Sequence, residues 1–412
     1  MPTAPRLNPT VSGFRCSKSG RAVPVSAVTR PLGLCSCCPG APLLVEYDHE
    51  RVAAAWPALA SRKPGLFRFA PALPVSGLGD DYAGDVGGSV TLRHAALSDE
   101  LGVEVFVKNE SLNPSGSFKD RGLALGIALG AALGARRFCL PTQGNAGVAA
   151  ALFSARLGLQ SALVYMPEGY QGSIYHRACV HFGAEVCFAG ANIASAGRQM
   201  RERLQPELAS GEYVDISTFF EPGRLEGKKT MGLEIAEACA GRPLPDAIFY
   251  PTGGGTGLVG IWKALRELRQ WGVADPAHTR LPRLVVVQSE QCAPVVRAFE
   301  AGAESVTPVT SGGTIADGLD VPGAIMGHAM LAAVRESGGF ARAVSEVAIA
   351  QAFANLGRLG IGAGYESAAT IAALRDALRS GEITRGASVL LLLTGSQLLA
   401  LARHGAASGR SV

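Results

Sequence analysis

Short runs rich in aliphatic and aromatic residues recur along the chain at 103–108, 137–140, 161–166, 184–188, 247–250, 284–288 and 389–393, with helical or alanine-rich patterns between them. Strands that alternate with helices predict a parallel sheet with helical crossovers, since a tight turn cannot join parallel neighbours. Residues 123–135, LALGIALGAALGA, carry no charge on any face, so this helix is expected to be buried all round. Further helices are expected over 148–157 and 258–269. The Pro/Gly-rich stretch 61–88 breaks the rhythm and reads as an arm over the body or a linker. The Gly/Ala/Ser-rich tail from His404 is expected to fray, and no internal repeat or heptad run is present.

Composition narrows the class. The chain has 412 residues, 48% hydrophobic and 17% charged, enough apolar material for two substantial cores. A net charge of +4 is too small and dispersed to suggest nucleic acid. No segment offers eighteen uninterrupted apolar residues and the N-terminal stretch lacks an apolar signal core, so neither export nor membrane spanning is expected. The odd count of nine cysteines fits the same cytoplasmic expectation, with Cys139, Cys179, Cys187, Cys239 and Cys292 as reduced, mostly core thiols.

Candidate chemistry lies in three loops. Lys119 falls between a Gly/Ser/Pro turn, 112–118, and the uncharged helix. An amine attacks a carbonyl only when neutral, and burial at the positive end of a helix disfavours the ammonium, so this lysine suits a Schiff base. The second loop, Thr252-Gly253-Gly254-Gly255-Thr256-Gly257, follows a strand and opens a helix, the arrangement in which backbone N–H groups cradle a phosphate. It lacks the lysine of a nucleotide P-loop and the spacing of a dinucleotide fingerprint. The third, Thr142-Gln143-Gly144-Asn145-Ala146, offers N–H groups and an amide to a carboxylate or phenolate oxygen. Taken singly, each loop also reads as a solvent-facing lysine or an ordinary helix start. Together they meet the needs of pyridoxal 5'-phosphate.

At this point the chain resembles the fold-type II pyridoxal-phosphate enzymes, and among them the threonine synthases. The stretches that carry the resemblance are SGSFKDRG at 115–122, GRLEGKKTMGLEIAEA at 223–238, YPTGGGTGLVGIWKA at 250–264, TIADGL at 314–319, YESAA at 365–369 and LLTGS at 392–396. The resemblance implies an α/β fold like the tryptophan synthase β chain, with two three-layer α/β/α domains and mostly parallel sheets. It divides the chain into an N-terminal arm (1–60), a large cofactor domain (61–138 plus 220–412) and a small mobile domain (139–219). It implies that Lys119 carries the cofactor and moves protons, that Asn145 meets the ring oxygen, and that Gly253, Gly254, Gly255, Thr256 and Gly257 hold the phosphate. Thr394 would face the pyridine nitrogen as a neutral donor, which moderates the electron sink.

The implied reaction converts O-phosphohomoserine and water to threonine and phosphate, a carbon–oxygen lyase acting on a phosphorylated amino acid. Arg224 would take the leaving phosphate, Thr142, Gln143, Gly144 and Ala146 the carboxylate, and Ser217, with Thr218, would serve the substrate in place of an Asn-Ser pair. Lys228 and Lys229 either add positive potential or form the solvated face of a Glu/Lys-rich helix. A homodimer is likewise only what the resemblance implies.

Some positions depart from that pattern. Gln143 and Ala146 replace hydroxyl residues around Gly144-Asn145, the segment 215–220 lacks an Asn-Ser pair, and Gln171 and Ser173 stand where many relatives have a lysine. These changes keep a β-acting reading open, a threonine/serine dehydratase or a cysteate-synthase-like enzyme. A non-catalytic paralogue is disfavoured by the intact Lys119, Asn145, glycine loop and Thr394. At the N-terminus, Cys16, Cys35 and Cys38 resemble a degenerate zinc ribbon, but the first knuckle is C-x-x-S. No bound metal is expected unless Cys37 completes a four-thiolate set.

Overall fold

A computed structural model describes residues 4–28 and 33–405; the last residues of the expected frayed tail, 406–412, lie outside them. All seven expected strands form, within two residues of their expected limits. In chain order the strands are β1 (Val11–Cys16), β2 (Ala22–Pro24), β3 (Leu43–Tyr47), β4 (Thr91–Arg93), β5 (Glu104–Asn109), β6 (Arg137–Pro141) and β7 (Leu163–Met166). They continue with β8 (Glu185–Phe188), β9 (Tyr213–Asp215), β10 (Ala247–Pro251), β11 (Arg283–Ser289), β12 (Phe340–Val344) and β13 (Ser388–Leu393). A six-stranded sheet runs β12-β11-β10-β13-β5-β4, parallel except for the antiparallel β4, and a four-stranded parallel sheet runs β8-β7-β6-β9. The sequence reading missed β1, β2 and β3 of the N-terminal sheet and, in the two larger sheets, β4, β9 and β12. In the larger sheets the reason is common to all three. Each is an edge strand of three to five residues with a single neighbour, so none needs a continuous apolar run.

Period-two alternation divides the large sheet between two cores. Ile248, Tyr250, Leu390 and Leu392 face one, while Phe249, Val389, Leu391 and Leu393 face the other. Five helices frame the space between the sheets: α1 (Lys119–Ala132), α2 (Asn145–Arg156), α3 (Ile193–Arg203), α4 (Gly223–Ala238) and α5 (Thr256–Gln270). As its uncharged sequence predicts, α1 is buried on every side through Gly130. The reason lies in its neighbour. A Cβ on Gly122 would sit 3.0 Å from the Arg224 carbonyl oxygen, one on Gly223 would sit 2.7 Å from that of Leu125, and one on Gly227 would collide with that of Arg121. Later residues of α1 thus meet earlier residues of α4, and the two helices pack antiparallel with backbones nearly touching.

Two expectations fail here. Lys228 and Lys229 form no solvated face, because both are 0% exposed in the middle of α4. The 61–88 stretch is no linker either: Leu66, Phe69, Leu73, Val75, Tyr82 and Val86 are buried, and the Tyr82 hydroxyl donates to the Ala124 carbonyl of α1 at 2.8 Å. Apolar residues spaced among its prolines and glycines supply this packing without helical or strand periodicity.

Burying cations demands partners. Arg121 donates through Nε to Glu110 at 2.6 Å and through Nη2 to Glu234 at 2.7 Å, and Lys108 meets Glu234 at 2.6 Å. A second cluster joins Lys229 to Glu226 at 2.6 Å and to Glu267 at 2.9 Å, with Lys263 on Glu226 at 2.9 Å. The Tyr47 hydroxyl of β3 donates to Glu226 at 2.8 Å, which ties the N-terminal three-stranded sheet (β2-β1-β3) to α4.

Arg121→Met would leave two buried carboxylates facing Lys108 alone. We expect a loss of about 3–5 kcal/mol in denaturant unfolding of the cofactor-free protein, the usual cost of breaking a buried pair. A loss below about 1 kcal/mol would contradict the dry, paired cluster.

Candidate active site

A cavity of about 630 Å³ lies where the C-terminal ends of β6, β10 and β13 meet the starts of α1, α2, α4 and α5. Parallel α/β sheets place ligands at such strand ends. Its wall includes Lys119, Thr142, Gln143, Gly144, Asn145, Ala146, Ser217, Arg224, Gly253, Gly254, Gly255, Thr256 and Thr394. Gly257 is the one expected site residue outside the wall. It lies a residue inside α5, where a Cβ would strike the Tyr250 ring.

Backbone bonds hold Lys119 and Thr394 in one frame. Phe118 N–H donates to the Thr394 carbonyl at 3.0 Å and Ser396 N–H to the Gly116 carbonyl at 3.0 Å. Lys119 is half-buried, with its free part on the cavity, and its Nζ lies 4.1 Å from the Phe118 ring centroid. Burial first, and then the Arg224 guanidinium, bring its amine down to about 8, against the opposing Glu366 carboxylate. Lys228 presents Nζ 3.6 Å from the same ring centroid and donates to the Phe118 carbonyl; burial and the neighbouring Lys119 hold it well below the usual lysine range. The sequence reading gave Lys228 no such place.

The glycine loop has no room for side chains. A Cβ on Gly253 would strike the Gly318 carbonyl oxygen, and Gly255, at φ 78°, caps α5 in the left-handed region. The start of α5 is therefore bare backbone facing the cavity, as an anion cradle requires. In the Asn loop, Thr142 Oγ1 accepts from Gly144 N at 3.0 Å and Gly147 N at 3.3 Å, so its hydroxyl organises the turn. Asn145 ends in a buried Oδ1 with no partner. A convergent amine, an unsatisfied amide, a glycine cradle and the Thr394 hydroxyl fit pyridoxal phosphate.

Arg224, also in the wall, is 3% exposed; its Nη1 donates to the Ile216 carbonyl at 2.6 Å and its Nε is buried without a partner. Burial lowers its pKa, and Glu221 opposes that. Glu221 accepts from Gly223 N at 2.6 Å and Arg224 N at 2.8 Å, while burial raises its own pKa to about 7. Ser217 accepts from Arg201 Nη2 at 3.0 Å. Arg201, Tyr175, Asp317 and Glu366 line the cavity too, and the sequence reading did not single them out. Arg201 sits in RQMRERL, an ordinary charged helix by pattern.

In the N-terminal sheet the sulfurs of Cys16, Cys35 and Cys38 lie within 4.8 Å of one another. Burial pushes the Cys16 thiol up, but bonds from Ser19 and the nearby backbone bring it down to about 6. Cys37 does not complete the set: it is exposed and receives a bond from Arg21. A closed tetrahedral zinc site needs four ligands, so these three thiols do not fit one.

Fold and site together define a cofactor-dependent enzyme, and the comparison with known families gives the class. Residues 83–395 match the family "Pyridoxal-phosphate dependent enzyme", and the chain belongs to that family. It is 32% identical over 366 residues to the threonine synthase of Methanosarcina acetivorans, covering 88% of this chain and 87% of that one. With the threonine synthase of Methanocaldococcus jannaschii it shares 30% over 388 residues, 93% and 92% of the two chains. Among solved structures, threonine deaminase isoform 2 from Solanum lycopersicum superposes with a TM-score of 0.62 at 21% identity, covering 75% of this chain and 79% of that one. O-ureido-L-serine synthase does so with 0.62 at 20%, covering 79% and 94%. At that identity the superpositions establish the shared fold-type II architecture, and pyridoxal phosphate is the cofactor.

Two outcomes follow from this geometry. In the cofactor-free protein Lys119 is cationic below about pH 8 and neutral above it, so its labelling by an amine-reactive reagent, read by peptide mapping, should rise through pH ~8 and level off. A half-rise near the ordinary lysine value of about 10.4 would contradict the lowered pKa. Gly253→Ala should weaken pyridoxal phosphate retention about tenfold in equilibrium dialysis, since overpacking costs on the order of 1–3 kcal/mol; unchanged affinity would contradict the cradle.

Proposed function

We propose that the chain is a threonine synthase, converting O-phosphohomoserine and water to threonine and phosphate. The observation that supports this most directly is Arg224, a nearly buried guanidinium with an unsatisfied Nε in the cavity that Lys119 also lines, where a leaving phosphate needs a bidentate partner. The names and coverage of the curated relatives point the same way.

When bound, the cofactor draws electrons from the substrate's carbon skeleton and makes protons beside the amino group removable. Lys119, with its lowered pKa, takes the proton from Cα and then one from Cβ. The glycine backbone around 253–255 would hold the cofactor's phosphate, Asn145 would meet its ring oxygen, and the Thr394 hydroxyl would face its ring nitrogen without enforcing a charge. The N–H groups over 143–146 bind the substrate carboxylate. Arg224 would bind the phosphate that departs from Cγ; Cγ then takes back a proton to become the methyl group, water adds its hydroxyl at Cβ, and a proton returns to Cα.

The rest of the proposal is architectural. The unit 139–219, with the four-stranded sheet, closes on the larger unit, 61–138 plus 220–412, and sheds water until phosphate has left. The enzyme works in the cytoplasm on a small phosphorylated amino acid, as a homodimer.

The second reading is β-elimination, as in a threonine or serine dehydratase, and TIADGL at 314–319 is the segment that favours it. Offering O-phosphohomoserine, O-phosphoserine and threonine separately, with assays for phosphate, threonine and 2-oxoacid, decides between them. We expect phosphate and threonine from the first substrate and no turnover by Lys119→Ala. Arg224→Ala should lose about 30-fold or more in kcat/KM on O-phosphohomoserine, about 2 kcal/mol, with little change on threonine. Inert O-phosphohomoserine beside reactive O-phosphoserine would overturn the assignment.

A further inference from the structure

We propose that Arg201 is the second half of the substrate-phosphate subsite and sets the preference for a phosphomonoester. This rests on the reading just given, and it adds a residue from a different helix. Arg201 comes from α3 and Arg224 from α4, yet both guanidinium groups bond to adjacent residues of one segment: Arg224 Nη1 to the Ile216 carbonyl, Arg201 Nη2 to the Ser217 hydroxyl. Both side chains line the cavity.

The orientation of Arg201 is fixed from behind. Its Nε donates to Asp215 at 2.8 Å, and its guanidinium carbon lies 4.1 Å from the Phe220 ring centroid. A planar guanidinium clamped by a carboxylate on its Nε and stacked on a ring can turn only its terminal nitrogens to a ligand. Among the described residues Nη1 has no hydrogen-bond partner, and Nη2 is held only by the Ser217 hydroxyl, itself bonded to Asp215. The backbone is shaped to the same end. Phe219, at φ 65°, is the sole non-glycine residue among those described in the left-handed region, and it lies between the Ser217 and Phe220 contacts.

A phosphomonoester carries about −1.5 to −2 charges at neutral pH and three strong acceptor oxygens. Arg224 has committed one Nη1 proton to Ile216, and a single planar guanidinium grips at most two of the three oxygens as a bidentate fork. Arg201 supplies the rest through its terminal nitrogens, since the Ser217 hydroxyl already donates its one proton to Asp215. Because Arg201 belongs to the four-stranded unit, phosphate bridges α3 and α4 and its departure releases that bridge.

The test uses the holoenzyme with Arg201→Gln and Arg201→Lys. For Arg201→Gln we expect KM for O-phosphohomoserine and the inhibition constant of inorganic phosphate to rise about 10- to 100-fold, the range for losing charged hydrogen bonds, with kcat within about threefold of wild type. Arg201→Lys, which keeps the charge and loses the fork, should fall between the two. L-threonine, which has no phosphate, should bind all three proteins equally, as read from the cofactor's absorbance. Unchanged phosphate inhibition, or an equal loss for phosphate and threonine, would overturn the proposal. If the wild type releases no phosphate from O-phosphohomoserine, the function proposed above fails; the subsite is then judged on calorimetric binding of inorganic phosphate to wild type and Arg201→Gln, where equal affinity overturns it.

Discussion

The backbone-to-backbone contact between helices α1 and α4 is the constraint on which the site depends. Antiparallel helices meeting through Gly122, Gly223 and Gly227 leave no space for water. Lys119, Arg121, Arg224 and Lys228 belong to these two helices and lie at or beside that contact, while Lys229 of α4 turns to α5. Each is dealt with by its own chemistry. Arg121 and Lys229 find buried carboxylates, Arg224 finds a carbonyl and the cavity, and Lys119 and Lys228 have their proton affinity lowered. The neutral amine that the cofactor requires follows from how closely two helices pack.

Much of this was legible in the sequence because it is local. Strand–loop–helix order puts Gly253, Gly254 and Gly255 at the entry to α5, the arrangement from which a phosphate cradle is expected. The uncharged run after Lys119 announces its own burial. What sequence pattern could not supply depends on partners far along the chain. Lys228 and Lys229 look solvated on their own helix, and only the glycines that admit α1 and α5 explain why they are not; a Cβ on Gly260 of α5 would lie 2.9 Å from the Lys229 backbone nitrogen. Arg201 looks like any surface arginine until Asp215 and Phe220 come back to it across the sheet.

The same logic applies to the N-terminus. The cysteine spacing identifies a three-thiol cluster and the loss of the fourth ligand, whereas the attachment of its sheet rests on long-range contacts, among them the bonds from Tyr47 to Glu226 and from Lys263 to the Val45 carbonyl. The first of these bonds ends on the charge cluster inside α4, so the sheet is fastened to the helix that carries Arg224.

The most direct test is chemical. Reduction of the holoenzyme with sodium borohydride, followed by proteolysis and peptide mapping, should place a pyridoxyl group on Lys119 in the peptide containing SGSFKDRG. A pyridoxyl group on any other lysine, or on none, would contradict the account.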